Sequence, residues 1–351
     1  MSSPIKIILT GGGTLGSVSP LIAVWQELSK QDFKTEALFV GTSSGPEKIF
    51  LKQYPAINFT SLPSAKWRRY FSLLNLLTPV LFILALTKAL VILSNFRPKL
   101  IISAGGFTAV PIIWLGKLFG VKIIIHQLDL EPTLSNKLTQ RQADLITVTF
   151  DKSLADFPKK KTILVGPIIR QEALSVEKPL DHDQKTILVL GGGTGALSLN
   201  KLVVEALTLI DKKLHIIHVT GQGKEIIKGN LPNYRQIEFL TDQYYQTIGQ
   251  ADLIVSRAGL STLLEVSFFA KPLILVPLPN SQQEINAGYY ELNKAAINLK
   301  QNKLTPKILA DKINDLANNS ARLKELSKNI KIMARENGAA KMASEIVKLL
   351  D

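Results

Sequence analysis

Ser256-Arg257-Ala258-Gly259-Leu260-Ser261-Thr262 lies between an apolar run, Leu253 to Val255, and a stretch of helical spacing that contains Glu265. A helix that starts on small residues offers free backbone N–H groups and the positive end of its dipole, which suits a diphosphate. Glu265 follows about one turn further in, where a carboxylate can accept from two vicinal ribose hydroxyls. The competing structural reading makes Ser261 or Thr262 an ordinary N-cap and Glu265 a capping-box acid. After the next apolar run, the string from Pro277 to Asn286 places Gln282, Gln283 and Asn286 in a loop that leads into a helix. Amides pair with sugar hydroxyls without adding charge, although a solvated polar loop has the same composition.

Near the start, Gly11-Gly12-Gly13-Thr14-Leu15-Gly16 has the look of a phosphate-binding turn, because glycines let backbone amides approach an anion at a helix N-terminus. No Gly-Lys-Ser/Thr closes it as a P-loop, and no acidic residue ends the second strand, Leu38 to Gly41, as a ribose-binding fingerprint requires. A tight turn packing helix on strand is the simpler account of this loop taken alone.

These turns need strands to carry them. Apolar β-type runs recur at Ile5–Leu9, Leu38–Val40, Leu100–Ile102 and Val121–Ile125, then at Ile187–Leu190, Ile216–Val219, Leu253–Val255 and Leu273–Val276. They are continuously apolar, as strands covered by helices on both faces are, and longer helical stretches separate them, as in βα units. An internal echo divides the chain: KIILTGGGTLGSVSPLIAVWQEL from Lys6 is matched by KTILVLGGGTGALSLNKLVVEAL from Lys185. The expectation is an α/β protein of two Rossmann-like, doubly wound domains facing across a cleft, spanning 1–170 and 171–338. A last amphipathic stretch, 339–351, packs back on the first domain.

Composition bounds the partners. The 351 residues suffice for two domains at about 150 residues each. Forty-two Lys and Arg against 28 Asp and Glu leave a net charge of +14, attractive to nucleic acid, anionic lipid or a phosphorylated substrate. No nucleic-acid-binding module is recognisable, so that partner is not expected. The absence of Cys removes disulfides and thiolate chemistry, and the four His show no ligand spacing, so no metal is expected. Phe71 to Leu93 is long enough to span a membrane but carries Asn75, Pro79 and Lys88, which favours lying on the surface over crossing it. No secretory signal pattern opens the chain, and a cytoplasmic protein is expected.

Taken together, these strings resemble the MurG family, glycosyltransferases that move N-acetylglucosamine from UDP-GlcNAc onto the membrane carrier lipid I in peptidoglycan synthesis. The resemblance runs through Gly12 to Pro20, Lys66 to Leu73, Gly105-Gly106-Phe107, His126 to Asn136, Val165-Gly166-Pro167 with Arg170, and the two C-terminal strings above. It implies the GT-B architecture, with a C-terminal domain for the donor and an N-terminal domain facing the acceptor and the membrane. It also implies an inverting transfer without metal or cofactor, making a β-1,4 bond to an undecaprenyl-diphosphate-linked acceptor. Carried over by position, Thr14, Leu15, Gly16, Asp129, Arg170, Gly193, Leu240, Arg257, Gly259, Leu260, Thr262, Glu265 and Gln282 contact the nucleotide sugar. Lys66, Arg68, Arg69 and the apolar stretch 71–84 dock on the anionic cytoplasmic face of the membrane as a peripheral contact.

Two departures bear on catalysis. Ser17 stands where the family has His in its first loop, and a serine is no base near neutral pH without an activating partner. His126-Gln127-Leu128-Asp129 replaces a His-Glu-x-Asn string, so a carboxylate is gained where an imidazole is lost. Asp129 is therefore the expected base, with His126 facing the same cleft as the other titratable group. Rival readings are a related glycosyltransferase with diacylglycerol or another lipid as acceptor, and a nucleotide-sugar-binding protein that has lost its chemistry.

Overall fold

The computed structural model describes residues 4–31, 34–63, 78–176, 184–192, 195–227, 231–240, 243–334 and 336–350. Its contacts divide the chain into two compact units, Met1–Arg170 with Glu336–Asp351, and Gln171–Arg335. The second unit thus ends at Arg335, where the amino-acid pattern placed its end at 338.

Unit 1 holds a parallel sheet of β1 (Ile5–Thr10), β2 (Thr35–Thr42), β3 (Ile57–Leu62), β4 (Leu100–Ser103), β5 (Lys122–Gln127), β6 (Leu145–Val148) and β7 (Thr162–Leu164), in the order β3-β2-β1-β4-β5-β6-β7. Ile7, Ile8 and Leu9 are completely buried, as are Ile101, Ile102 and Ile123 to Ile125, because helices cover both faces. β1 pairs with β2 on one side, Ile7 opposite Ala37, and with β4 on the other, Ile7 opposite Leu100. The chain order reverses there, and doubly wound sheets put their ligands beyond the carboxyl ends of the strands at that point.

The helix Ala339–Leu350 belongs to this unit although the whole second unit precedes it in sequence. Its apolar positions Ala339, Met342, Ala343 and Ile346 are buried with Val18, Leu21 and Ile22, a spacing of three and four that forms one helical stripe. Asn337 ties the entry of this helix to the end of unit 1, giving and taking one hydrogen bond each with the Ile169 backbone at 2.8 and 2.9 Å.

The helix Thr78–Phe96 packs one edge inward through Ala85, Ala89 and Leu93. Val80, Ile83, Leu84, Leu90 and Val91 remain at least 45% exposed. Among the described residues it is the one helix long and apolar enough to cross a membrane, and only 17% of its apolar window is buried. Residues 64–77, with Lys66, Arg68 and Arg69, lie outside the described residues.

Unit 2 repeats the plan with β8 (Thr186–Leu190), β9 (His215–Val219), β10 (Tyr234–Ile237), β11 (Leu253–Ser256), β12 (Leu273–Leu275) and β13 (Ile297–Asn298), all parallel in the order β10-β9-β8-β11-β12-β13. Its reversal falls between β8 and β11, where Val255 pairs with Val189.

Candidate active site

In unit 2 the turn after β11 opens the helix Leu260–Phe268, whose N-cap is Gly259 in extended conformation with no side-chain cap. Ser261 and Thr262 are therefore inside the first turn, where backbone N–H groups have no intrahelical acceptor. The capping-box alternative fails on this geometry, since Glu265 sits six residues past the cap instead of three. Glu265 is only 6% exposed, and its two carboxylate oxygens accept from the hydroxyls of Tyr245 at 2.7 Å and Tyr244 at 3.0 Å. Tyr245 is buried and stacks on Phe269, whereas Tyr244 is partly exposed. Neither tyrosine is legible as a site residue from sequence, because the pair sits on a separate helix, Tyr244–Gln250, with no motif around it.

Arg257 is buried, and its guanidinium donates to the Val276 carbonyl at 2.8 Å and to the Ser198 hydroxyl at 2.7 Å. Burial lowers its pKa. Its side chain joins the ends of β11 and β12 to the first turn of the helix Leu197–Ala206, so it positions the strand ends. Asn286 is also buried, donating to the Ala258 carbonyl at 3.0 Å. One N–H of its amide thus holds the turn before Gly259. Gln283 likewise accepts from the Leu278 N–H at 2.9 Å, closing its own loop. Gln282 and Leu240 are half-buried. No side-chain hydrogen bond of Gln282 occurs among the described residues, which leaves it with polar capacity for a ligand. Gly193 lies outside the described residues.

In unit 1 three turns meet at the carboxyl ends of β1, β4 and β5. Gly106 packs against Gly12, where a side-chain Cβ on Gly106 would stand 3.3 Å from the Gly12 nitrogen at a φ of +96°. The Thr108 hydroxyl reaches the Gly11 carbonyl, and the Gly106 N–H donates to Ser135. Thr14 is exposed, while Leu15, Gly16 and Ser17 are half-buried. The Ser17 hydroxyl accepts from the Gly12 N–H at 2.9 Å and donates to the Thr14 carbonyl. Its hydrogen bonds are thus local to the turn, and no base stands among them.

His126 does not face a site. It is 1% exposed, with Nδ1 3.0 Å from the Thr147 hydroxyl and Nε2 3.2 Å from the Thr149 hydroxyl. Burial pulls its pKa down to about 3. A catalytic role for His126 is therefore corrected: both nitrogens are taken and the ring is kept neutral inside the sheet. Arg170 is 7% exposed, lies 4.8 Å over the Phe50 ring and donates to the Tyr54 hydroxyl at 2.9 Å, which anchors its side chain in unit 1. Asp129 is half-buried on the loop after β5. Gln127, fully buried, fixes that loop by donating to the carbonyls of Asp129 and Glu131, both at 2.8 Å, while its own oxygen accepts from Asn136 at 2.7 Å.

The buried histidines give a pH prediction. His218, in unit 2, bridges the Tyr234 hydroxyl and Asn200, and burial lowers its pKa to about 4. Both histidines bind a proton more readily unfolded, near pH 6.5, than folded. Stability is therefore present above pH 6.5 and is lost as pH falls toward 4, by up to about 1.4 kcal/mol per pH unit for each histidine. Thermal melts at pH 7 and pH 5 should show a lower Tm at pH 5 that His218→Gln partly flattens; an equal acid response in that variant would contradict it.

Residues 7–148 match the glycosyltransferase family 28 N-terminal domain and residues 186–346 its C-terminal domain. The two units thus define a glycosyltransferase with the fold of the GT-B enzymes. A UDP-N-acetylglucosamine--N-acetylmuramyl-(pentapeptide) pyrophosphoryl-undecaprenol N-acetylglucosamine transferase of Clostridium tetani is 33% identical over 95% of each chain. A counterpart in Bacillus cereus, numbered 2 there, is 33% identical over 90% of this chain and 92% of its own. The crystal structure of Acinetobacter baumannii MurG superposes with a TM-score of 0.72 at 24% identity, covering 98% of this chain and all of that one. The chain belongs to the MurG family.

Proposed function

We propose that the chain transfers N-acetylglucosamine from UDP-GlcNAc to lipid I, the undecaprenyl-diphosphate-linked N-acetylmuramyl pentapeptide, with inversion and formation of lipid II. Unit 2 holds the donor: the first-turn amides of the helix Leu260–Phe268 receive the diphosphate and Glu265 the ribose, with Leu240, Gly259, Leu260, Thr262 and Gln282 around them. The observation that carries this reading is the buried Glu265, placed by two tyrosine hydroxyls in the second turn of a helix whose start has no side-chain cap, in a chain whose relatives are named for this transfer. The amides and the helix dipole stabilise the departing UDP, whose negative charge grows as the sugar bond breaks. Asp129 takes the proton of the attacking hydroxyl, and Thr14, Leu15 and Gly16 of unit 1 also contact the nucleotide sugar. A labelled-sugar transfer assay offering lipid I and diacylglycerol together tests the acceptor: label is expected on lipid I, and label on diacylglycerol alone would move the chain to the other lipid class.

Docking on anionic membrane through Lys66, Arg68, Arg69 and the apolar stretch 71–84 completes the proposal. Supporting it are the exposed Val80, Ile83 and Leu84, which an interface can take up without a spanning segment. Leu90 and Val91 extend the same exposed surface. Vesicles of anionic phospholipid should bind the Ile83→Ser/Val91→Ser variant at least about tenfold more weakly, since full burial of each such side chain contributes about 1.5–3 kcal/mol. Unchanged sedimentation with the vesicles would contradict this surface.

A further inference from the structure

Glu47 follows β2 and opens the short helix Glu47–Phe50, yet it is completely buried. Its Oε1 accepts from the Thr42 N–H at 2.6 Å and the Thr42 hydroxyl at 2.5 Å, and both carboxylate oxygens accept from the Gly13 N–H, at 3.2 and 3.3 Å. Three glycines clear the space it fills. A Cβ on Gly12 would stand 2.5 Å from Oε1, one on Gly41 2.9 Å from its Cγ, and one on Gly45 would strike Oε2. No lysine or arginine forms an ion pair with it among the described residues. A buried carboxylate satisfied only by neutral donors costs folding free energy that an apolar side chain would not, so packing alone does not account for a glutamate here.

A use is visible in what it holds. The turn Gly11–Gly16 has three amides spoken for: Gly11 N–H by the Val40 carbonyl, Gly12 N–H by Ser17 and Gly13 N–H by Glu47. The residues proposed to touch the nucleotide sugar, Thr14, Leu15 and Gly16, begin at the very next position. We propose that Glu47 is a positioning residue of the transfer reaction, fixing the first glycine turn from behind and keeping the Gly13 amide out of the ligand's reach. The anion is then confined to the segment after Gly13, because a negative charge behind Gly12 and Gly13 repels a phosphate that slides back toward β1. This rests on the transferase reading above. Misplacement of a turn by about 1 Å costs rate far more than it costs ground-state binding when the turn acts on the developing charge.

Glu47→Gln is the test. Its carbonyl oxygen keeps the two Thr42 donors and the 3.3 Å approach of the Gly13 N–H, while its amide NH2 replaces Oε2 and meets that N–H donor to donor, so the hold on the turn is weakened while the Thr42 contacts stay. In the lipid I assay, kcat is expected to fall about tenfold or more while the KM for UDP-GlcNAc moves less than about threefold, and deuterium exchange of a peptide covering residues 11–16 is expected to quicken. Wild-type kcat or wild-type exchange in the variant overturns the proposal. Loss of the folded unit also overturns it, since that would make Glu47 structural alone. Inactivity of the wild-type protein would instead count against the transferase reading, and exchange at residues 11–16 would still decide the hold.

Discussion

Replacing Glu265 by Ala is expected to weaken UDP-GlcNAc binding by about ten- to a hundredfold. A buried carboxylate that meets two ribose hydroxyls makes charge-assisted hydrogen bonds, together about 1.5–3 kcal/mol, and each 1.4 kcal/mol is tenfold in affinity. The variant also strands the hydroxyls of Tyr244 and Tyr245, which now donate to this carboxylate. Tyr245→Phe serves as the companion: it keeps the carboxylate but loosens its aim, and a smaller loss is expected. Calorimetry with UDP-GlcNAc checks both. Equal affinity for wild type and Glu265→Ala would remove the ribose contact from the account and leave Glu265 as a partner of the tyrosines alone.

Asp129→Asn is expected to lower kcat by about 10² to 10⁴ at saturating UDP-GlcNAc, the range a positioned general base supplies. The substitution preserves shape, and the loop itself is held through backbone carbonyls by Gln127, so the loss would report the carboxylate and not the fold. His126→Ala would not show such a loss from chemistry, because that ring is enclosed between Thr147 and Thr149. Ser17→His would raise turnover if the first turn can still present an imidazole to the acceptor. Near-wild-type kcat in Asp129→Asn would exclude Asp129 as the base.

Those outcomes bear on residues that a reader of the chain sees unequally. The helix start at Gly259 and the carboxylate at Glu265 are legible because one turn of helix sets their spacing. The same holds for β1, β4, β5, β8 and β11, whose continuous apolar runs can only be buried strands. β3, β10 and β13 escape notice for a physical reason: β3 and β10 are edge strands carrying Asn58, Thr60, Arg235 and Gln236, and β13 is two residues long. β6 is central but has only four residues, one of them Thr147. Missing β6 has a direct consequence, since Thr147 and the following Thr149 occupy His126 across 21 and 23 residues of sequence. Without that strand, a histidine at a strand end reads as a site residue. Glu47 has no local signal at all; its meaning comes from Gly12, Gly41 and Gly45 converging on it, and only the fold brings them together.

The central claim, that this chain transfers the sugar and does not merely bind its nucleotide, rests most directly on one stoichiometry. Purified protein is incubated with UDP-GlcNAc and lipid I, and UDP released is counted against disaccharide lipid formed in the same reaction. One UDP for each lipid II is expected, over many turnovers and only when lipid I is present. Binding of UDP-GlcNAc with no UDP released, lipid I present, would contradict it.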